Sequence, residues 1–370
     1  MNTSQNNLNQ PLVSVIIPAY NAEKFITKTL ESIFSQTYQN IEILVVDDGS
    51  TDTTPEIVNF FAQKDSRIIL LQQSNAGVAA ARNLAIEKSH GEYIAPIDAD
   101  DIWYPQNLEK QIECLTKSEP TVGVVYSWSV DINEQDLLTG GFYNSTIAGE
   151  VYQALVYKYF IGNASSSLIR RACFEKIGGY NCKLKAENAQ GCEDWELHLR
   201  IAEHYQFKVV PEYLVGYRQI ASSMSCNYAA MAKGHSLIMA NVRQQHPEIP
   251  SNIYRWSSSN FYIYLAVKSN RSGNHRSTLF WLAQAFKEDL FMSLLRHNLY
   301  LLSITSFLKI IVSPLTKSGL ELKQTSESNQ GTTLATIEKR TKVHKILPSQ
   351  VYERMRFNSL ANLKFKSTQH

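Results

Sequence analysis

Two carboxylates set two residues apart, in Asp98-Ala99-Asp100 with Asp101 following, are the densest chemical signal in the chain. Their oxygens suit a hard divalent cation, Mg²⁺ or Mn²⁺, which usually also takes substrate phosphate oxygens. A merely solvated acidic loop is the commoner meaning of D-x-D alone. Here the triplet follows the apolar stretch Tyr93–Ile97, where a strand ends. A second pair heads the run Asp47-Asp48-Gly49-Ser50-Thr51-Asp52. A turn with Ser50 or Asp52 as a helix N-cap explains part of that run. It leaves two adjacent carboxylates, one of which could accept from a base N–H or bind a ribose hydroxyl. Arg82 lies about one turn into an Ala-rich helix after Asn75-Ala76-Gly77. It is either a surface cation or one that faces a diphosphate near the helix N-terminus. Glu193-Asp194-Trp195-Glu196 opens another helix. Its acids either complement the macrodipole or supply a general base projecting into a pocket.

The elements that must hold these groups alternate along the first hundred residues. Val13–Pro18, Ile41–Val46, Arg67–Leu71 and Tyr93–Ile97 read as strands. Between them Phe25, Ile26, Leu30, Ile33 and Phe34 recur at helical spacing, with Asn21 as the cap; Thr53 or Thr54 caps a second helix; Val78–Lys88 is a third. Pro105 opens a fourth that runs to about Lys117. Such alternation predicts a mainly parallel sheet with helices on both faces. Ligands of these sheets bind beyond the carboxyl ends of the strands. Pro18-Ala19-Tyr20-Asn21, the Asp47–Ser50 run and Asp98–Asp101 all fall there. Further on, Val122–Val130, Ser166–Ile169, Phe207–Val210 and Tyr213–Arg218 read as strands. Phe174–Ile177 is a helical turn closed by Gly178-Gly179, and Cys192–Glu203 is a helix. Residues 131–165 are turn-rich, and helices dominate after Asn227.

The 370 residues carry 36 basic and 34 acidic side chains, a net charge of +2, so the totals require no nucleic-acid-binding surface. Five cysteines without a CxxC pair argue against structural zinc and fit reduced thiols in the cytoplasm. The first ten residues have neither a basic nor an apolar signal region. No stretch reaches the roughly 18 uncharged apolar residues of a membrane span; Leu299–Leu315 comes nearest, interrupted by Lys309. There is no G-x-x-x-x-G-K-[ST] and no G-x-G-x-x-G, which removes the main support for Walker NTPases and dinucleotide dehydrogenases.

Together the motifs resemble glycosyltransferase family 2, inverting enzymes of the GT-A fold. The matching text is Val13–Asn21, Val45–Asp52, Asn75–Val78 with Ala81-Arg82-Asn83, Gly91–Asp101, Glu193-Asp194-Trp195, and Tyr217-Arg218 to Ser225, in family order over about residues 11–225. The resemblance implies an α/β fold of GT-A type, with a Rossmann-like, mostly parallel central sheet flanked by helices and a helical C-terminal extension. It implies a nucleotide-diphosphate sugar as donor, a UDP-sugar favoured, and a glycan or lipid-linked acceptor. By position Pro18, Ala19, Tyr20, Asn21, Asp48 and Arg82 should bind the donor nucleotide. Asp98 should touch ribose or the metal shell, Asp100 should ligate Mn²⁺ or Mg²⁺, and Asp194 should deprotonate the acceptor hydroxyl. Glu193, Trp195 and Arg218 are candidates for the acceptor or pyrophosphate. The family often has a His soon after Tyr-Arg; here Gln219 and Ile220 follow, and Arg218 or the Ser222-Ser223 pair is left to serve. A binding protein without catalysis and a sugar nucleotidyltransferase are the competing classes. Retention of Asp100 and Asp194 speaks against the first, and the missing Gly-rich basic loop after the first strand against the second.

The expected organisation is a flexible N-terminus (1–10), a catalytic domain (11–226, donor half to about 120), a helical region (227–315), then a linker and basic tail (316–370). The aromatic stripes around Trp256–Leu265 and Phe280–Leu295 more often signify core packing. The alternative is peripheral contact with the cytoplasmic membrane face through Leu299–Leu315 and the tail.

Overall fold

Apolar runs with no polar face become strands covered on both sides. In the computed structural model, which describes residues 10–220 and 223–316, β1 (Val13–Ala19), β2 (Ile41–Asp47), β3 (Ile68–Gln72) and β4 (Tyr93–Pro96) pair in parallel. Val13, Val15, Ile16 and Ile17 of β1 are wholly buried, as are Ile43, Leu44, Val45 and Val46 of β2. Large apolar side chains of this kind each contribute about 1.5–3 kcal/mol by leaving water. The crossovers are α1 (Ile26–Phe34), α2 (Thr54–Ala62) and α3 (Val78–Lys88). In α1, Ile26, Leu30 and Ile33 lie three or four residues apart and are buried, together with Thr29. The Thr29 hydroxyl donates to the carbonyls of Ala99 (2.9 Å) and Asp101 (2.8 Å), so α1 pins the loop after β4.

Asn21 does not cap α1. It sits at φ 48°, and its side-chain oxygen accepts the Thr51 N–H at 2.8 Å, tying the first loop to the second. The start of α2 is secured by Asp52, which accepts from the Thr54 N–H (3.0 Å) and hydroxyl (2.5 Å).

After the parallel strands come β5 (Ile102–Trp103), α4 (Asn107–Thr116), β6 (Val122–Ile132) and β7 (Leu138–Tyr143). They are followed by α5 (Tyr152–Tyr157), β8 (Ser167–Arg170), α6 (Arg171–Ile177), α7 (Lys183–Ala186), α8 (Glu193–Ala202) and β9 (Gln206–Arg218). The sheet runs β3-β2-β1-β4-β8-β6-β9-β5, with β7 beside β6. Antiparallel pairing begins at β8, which lies between β4 and β6; β9 returns parallel to β6. Residues read as two strands, 207–210 and 213–218, form the single strand β9. Its register on β6 shifts between Ser127 and Trp128, opposite Val210 and Tyr213, so Pro211 and Glu212 bulge out of the ladder.

The chain divides into two compact units. The first comprises the chain to Tyr152, Phe160–Glu187 and Glu193–Gln219, and holds the whole sheet. The second takes Gln153–Tyr159, Asn188–Cys192 and the chain from Ile220. Besides most of α5, it holds α9 (Tyr228–Gln245), α10 (Ser251–Arg271), α11 (His275–Glu288), α12 (Leu290–Leu295) and α13 (His297–Thr316). Within this unit Tyr262 of α10 stacks on Trp281 of α11 with centroids 5.6 Å apart. His235 of α9 stacks on Phe261 at 4.6 Å, and burial pushes its pKa down to about 3, so the ring packs as a neutral group. Among the described residues no helix is long and apolar enough to cross a membrane. The first nine residues, Ser222 of the Ser222-Ser223 pair, and the expected linker and basic tail from residue 317 lie outside the described residues.

Candidate active site

Strand register levels the polar loops at one edge of the first unit: Ala19 pairs with Asp47, and Asp47 with Gln72. Pro18 and Ala19 end β1. Tyr20 follows, 53% exposed, an uncommon position for a large ring and one open to stacking. Asp47 is buried and accepts the Ser50 N–H at 3.0 Å. Asp48 is buried as well. Its carboxylate accepts from Gln73 Nε2 (2.7 Å), Ala76 N–H (2.7 Å) and Gly77 N–H (2.8 Å), while its own N–H donates to the Ala19 carbonyl (2.8 Å). Gly77 takes φ 92°, a conformation that favours glycine, and so delivers its amide to that carboxylate. Asp48 therefore moulds the 73–77 loop. Asp48→Ala strands three donors, and a loss of about 3 kcal/mol is expected in urea unfolding; an unchanged midpoint would refute this role.

Arg82 is not a surface residue. The alanines of α3 let the helix lie close, with Ala79, Ala81 and Ala85 buried, and Arg82 points the same way at 4% exposed. Its Nη2 meets Asp98 Oδ1 at 2.5 Å. The guanidinium lies 5.0 Å from the Tyr180 ring centre. Burial works against its charge, yet Asp98, Tyr180 and Asp194 together hold it more firmly protonated than usual. Tyr180 is pushed up to about 12, first by burial and then, against the pull of Arg82, by Asp194 and Asp98. Residues 82, 98, 180 and 194, from four separate segments, thus share one electrostatic neighbourhood. Arg82 Nε is buried without a hydrogen-bond partner among the described residues.

Asp194 sits half-buried in the first turn of α8 beside Glu193 and Glu196, where the helix N-terminus favours negative charge. One of its oxygens accepts the Trp195 N–H at 2.9 Å. Glu193 and Trp195 themselves are buried. His198, one turn further along α8, is also buried; burial first and Arg82 second push its pKa down to about 3.

The Asp98–Asp101 loop is braced from below by residues the sequence did not single out. Ser165 accepts the Asp98 N–H (3.0 Å), donates to Asp101 Oδ2 (2.5 Å), and offers its carbonyl to Trp103 Nε1 (2.7 Å). Beside it Asn163 donates to Ser129 (2.9 Å) and accepts from Ser166 (2.8 Å). The run Asn163–Ser167, small and polar before a short strand, was the available signal. Asp101 is wholly buried; burial, with Asp100 and Asp98 close by, raises its pKa well above the carboxylate range. Arg218, at 0% exposure, lies under the same loop.

Among the described residues no three His, Cys, Asp or Glu side chains gather into a complete metal cage. The chemistry of the loop still fits a hard cation that takes one or two carboxylates from the protein and its other ligands from phosphate and water. Asp98 and Asp100 are the pair that could supply them.

Residues 14–178 match the family described as Glycosyl transferase family 2. A relative in Escherichia coli, the UDP-Glc:alpha-D-GlcNAc-diphosphoundecaprenol beta-1,3-glucosyltransferase WfaP, is 43% identical over 167 residues, covering 45% of this chain and 63% of that one. The chain spans less than half the length of several other curated relatives. S. aureus TarS 1-349 in complex with UDP-GlcNAc superposes with a TM-score of 0.53 at 18% identity, over 82% of this chain and 92% of that one. The mannosyltransferase PcManGT from Pyrobaculum calidifontis, in complex with GDP-Man and Mn2+, gives 0.51 at 19% identity, over 83% and 88%. The fold is that of these GT-A proteins.

Proposed function

We propose, from the match of residues 14–178 to glycosyltransferase family 2, that this protein is an inverting glycosyltransferase, which moves a sugar from a nucleotide diphosphate to an acceptor hydroxyl in cell-envelope glycan synthesis. The observation that carries the reading is the meeting of Asp98, Arg82 and Asp194 in one electrostatic neighbourhood of the first unit. Tyr20 offers the base an exposed ring, with Pro18 and Asn21 beside it. Arg82 has a buried Nε to offer a donor oxygen; leaving such a donor unmet costs about 1–3 kcal/mol. Asp98 and Asp100 would hold a divalent cation, whose chemistry is to offset the charge that builds on the departing diphosphate. Asp194 takes the proton of the acceptor hydroxyl as that oxygen bonds to the anomeric carbon. The bond from that carbon to the diphosphate breaks on the opposite side, and the configuration inverts.

UDP is the favoured nucleotide. WfaP is named for UDP-Glc and TarS was solved with UDP-GlcNAc, against GDP-Man in PcManGT. Incubation with UDP- and GDP-sugars and Mn²⁺, scoring freed nucleotide and sugar transfer to glycan and lipid-linked acceptors, tests the reading. Tight donor binding without turnover would favour the non-catalytic class. Exchange of sugar 1-phosphate with a nucleoside triphosphate would favour the nucleotidyltransferase.

The acceptor is proposed to be lipid-linked and reached at the membrane surface. In α13, Tyr300, Leu301, Ile304, Phe307, Leu308 and Ile311 are each between 40% and 64% exposed. They recur at one-, three- and four-residue spacing along a helix without an acidic residue. That pattern suits a helix lying in a lipid interface. The named acceptor of WfaP, a diphosphoundecaprenol, is of that class. Full-length protein should sediment with anionic liposomes at low salt, and Leu301→Glu with Leu308→Glu should leave it in the supernatant. Equal sedimentation of both would remove α13 from the contact.

A further inference from the structure

We infer that Arg218 is a positioning residue that sets the Asp98–Asp101 loop for its cation and diphosphate from beneath, without touching either. The inference rests on the donor-site reading above.

Among the described residues, the contacts of Arg218 all run into the protein. Its N–H donates to Asp101 Oδ1 at 2.8 Å and its Nε to the Asp100 carbonyl at 2.6 Å. Nη1 donates to the Asn133 carbonyl at 2.5 Å. Nη2 lies 2.6 Å from Asp136 Oδ1, an ion pair rather than an aligned hydrogen bond. The Phe25 ring closes one side, 4.8 Å from the guanidinium carbon. The side chain has no exposure to solvent.

These contacts join three parts of the first unit. Arg218 ends β9; Asn133 and Asp136 belong to the turn between β6 and β7; Asp100 and Asp101 form the loop after β4. The turn is itself fixed. Asn133 Oδ1 accepts the N–H groups of Gln135 and Leu137, both at 2.9 Å, and Asp136 adopts φ 64°. Asp136 is also held by Lys28 of α1 at 2.5 Å. Burial would raise the Asp136 pKa, but Lys28 and Arg218 outweigh it and keep the carboxyl below its usual value. A guanidinium buried this deeply is costly unless fully paired. Its partners set its place, and it in turn fixes the Asp100 peptide, whose side chain is the proposed cation ligand. Outer groups of this kind commonly alter metal affinity about 10–100-fold when removed.

Arg218→Lys keeps the charge but not the fork, and it could unfold the protein. Asp136→Asn, remote from the loop, is the second variant. Titration calorimetry with UDP, with and without Mn²⁺, is the readout, alongside thermal unfolding. We expect folded Asp136→Asn to bind the Mn²⁺–UDP pair about tenfold more weakly, with UDP binding in EDTA unchanged. The same pattern, stronger, is expected of Arg218→Lys where it folds. Wild-type Mn²⁺–UDP affinity in Asp136→Asn overturns the inference. So does weaker UDP binding in EDTA by Arg218→Lys, which would make Arg218 a direct diphosphate ligand. Wild-type protein that takes up neither UDP nor Mn²⁺ overturns the donor reading itself.

Discussion

Asp194→Asn is expected to lower kcat by about 10²-fold or more while leaving donor affinity near wild type. The amide matches the carboxylate in shape but cannot take a proton at neutral pH. Its oxygen can still accept the Trp195 N–H, so the first turn of α8 should survive. What disappears is a negative charge near Arg82, which retains its closer partner Asp98. Steady-state rates with saturating donor, set beside calorimetric donor affinity, separate the chemical step from binding. A variant that turns over at the wild-type rate would place the base elsewhere. Glu193 then becomes the next candidate, and Glu193→Gln the decisive comparison.

Asp100→Ala should reduce turnover by about 10²–10³-fold, the scale of the several kcal/mol a divalent ion supplies to a developing negative charge. Stability should change little. The contact that locks Asp100 to Arg218 uses the backbone carbonyl, which the substitution keeps. UDP affinity in Mn²⁺ should fall toward the value in EDTA. Full activity of the wild-type protein in excess EDTA would contradict the assignment, as would an Asp100→Ala variant with unaltered Mn²⁺ dependence.

The first strands were legible because a parallel strand buried on both faces is written as a nearly continuous apolar run, and its loops fall where the run stops. Val13–Ala19, Ile41–Asp47 and Tyr93–Pro96 are of that kind. The burial of Arg82 was not legible. An alanine-rich helix carries no apolar stripe, so nothing in its spacing says which side faces the sheet. Residues 131–165 were opaque for a related reason: within them Asn163 finds Ser129 and Ser166, and Ser165 finds Asp101, inside the unit, and a polar side chain that finds its partners in the core looks in sequence like one that meets water. The long β9 was read as two strands because Pro211 ordinarily ends a ladder, and the accommodating bulge involves a partner strand some eighty residues away.

The pairing of β6 with β9 also governs the order in which the molecule can be completed on the ribosome. The family-matched segment ends at residue 178, before α8 and β9 have emerged. A nascent chain of that length can close β1 to β4, β6 and β8, but it presents one edge of the eleven-residue β6 without its parallel neighbour and leaves β5 with no partner at all. An open edge of that length invites association with other chains. The Asp101 carboxyl also waits for the amide of residue 218. The family-matched segment is therefore shorter than the stretch of chain that builds the sheet. Expression of residues 14–178 alone should give aggregated protein, and synthesis must pass Arg218 before the Asp98–Asp101 loop has its full set of contacts.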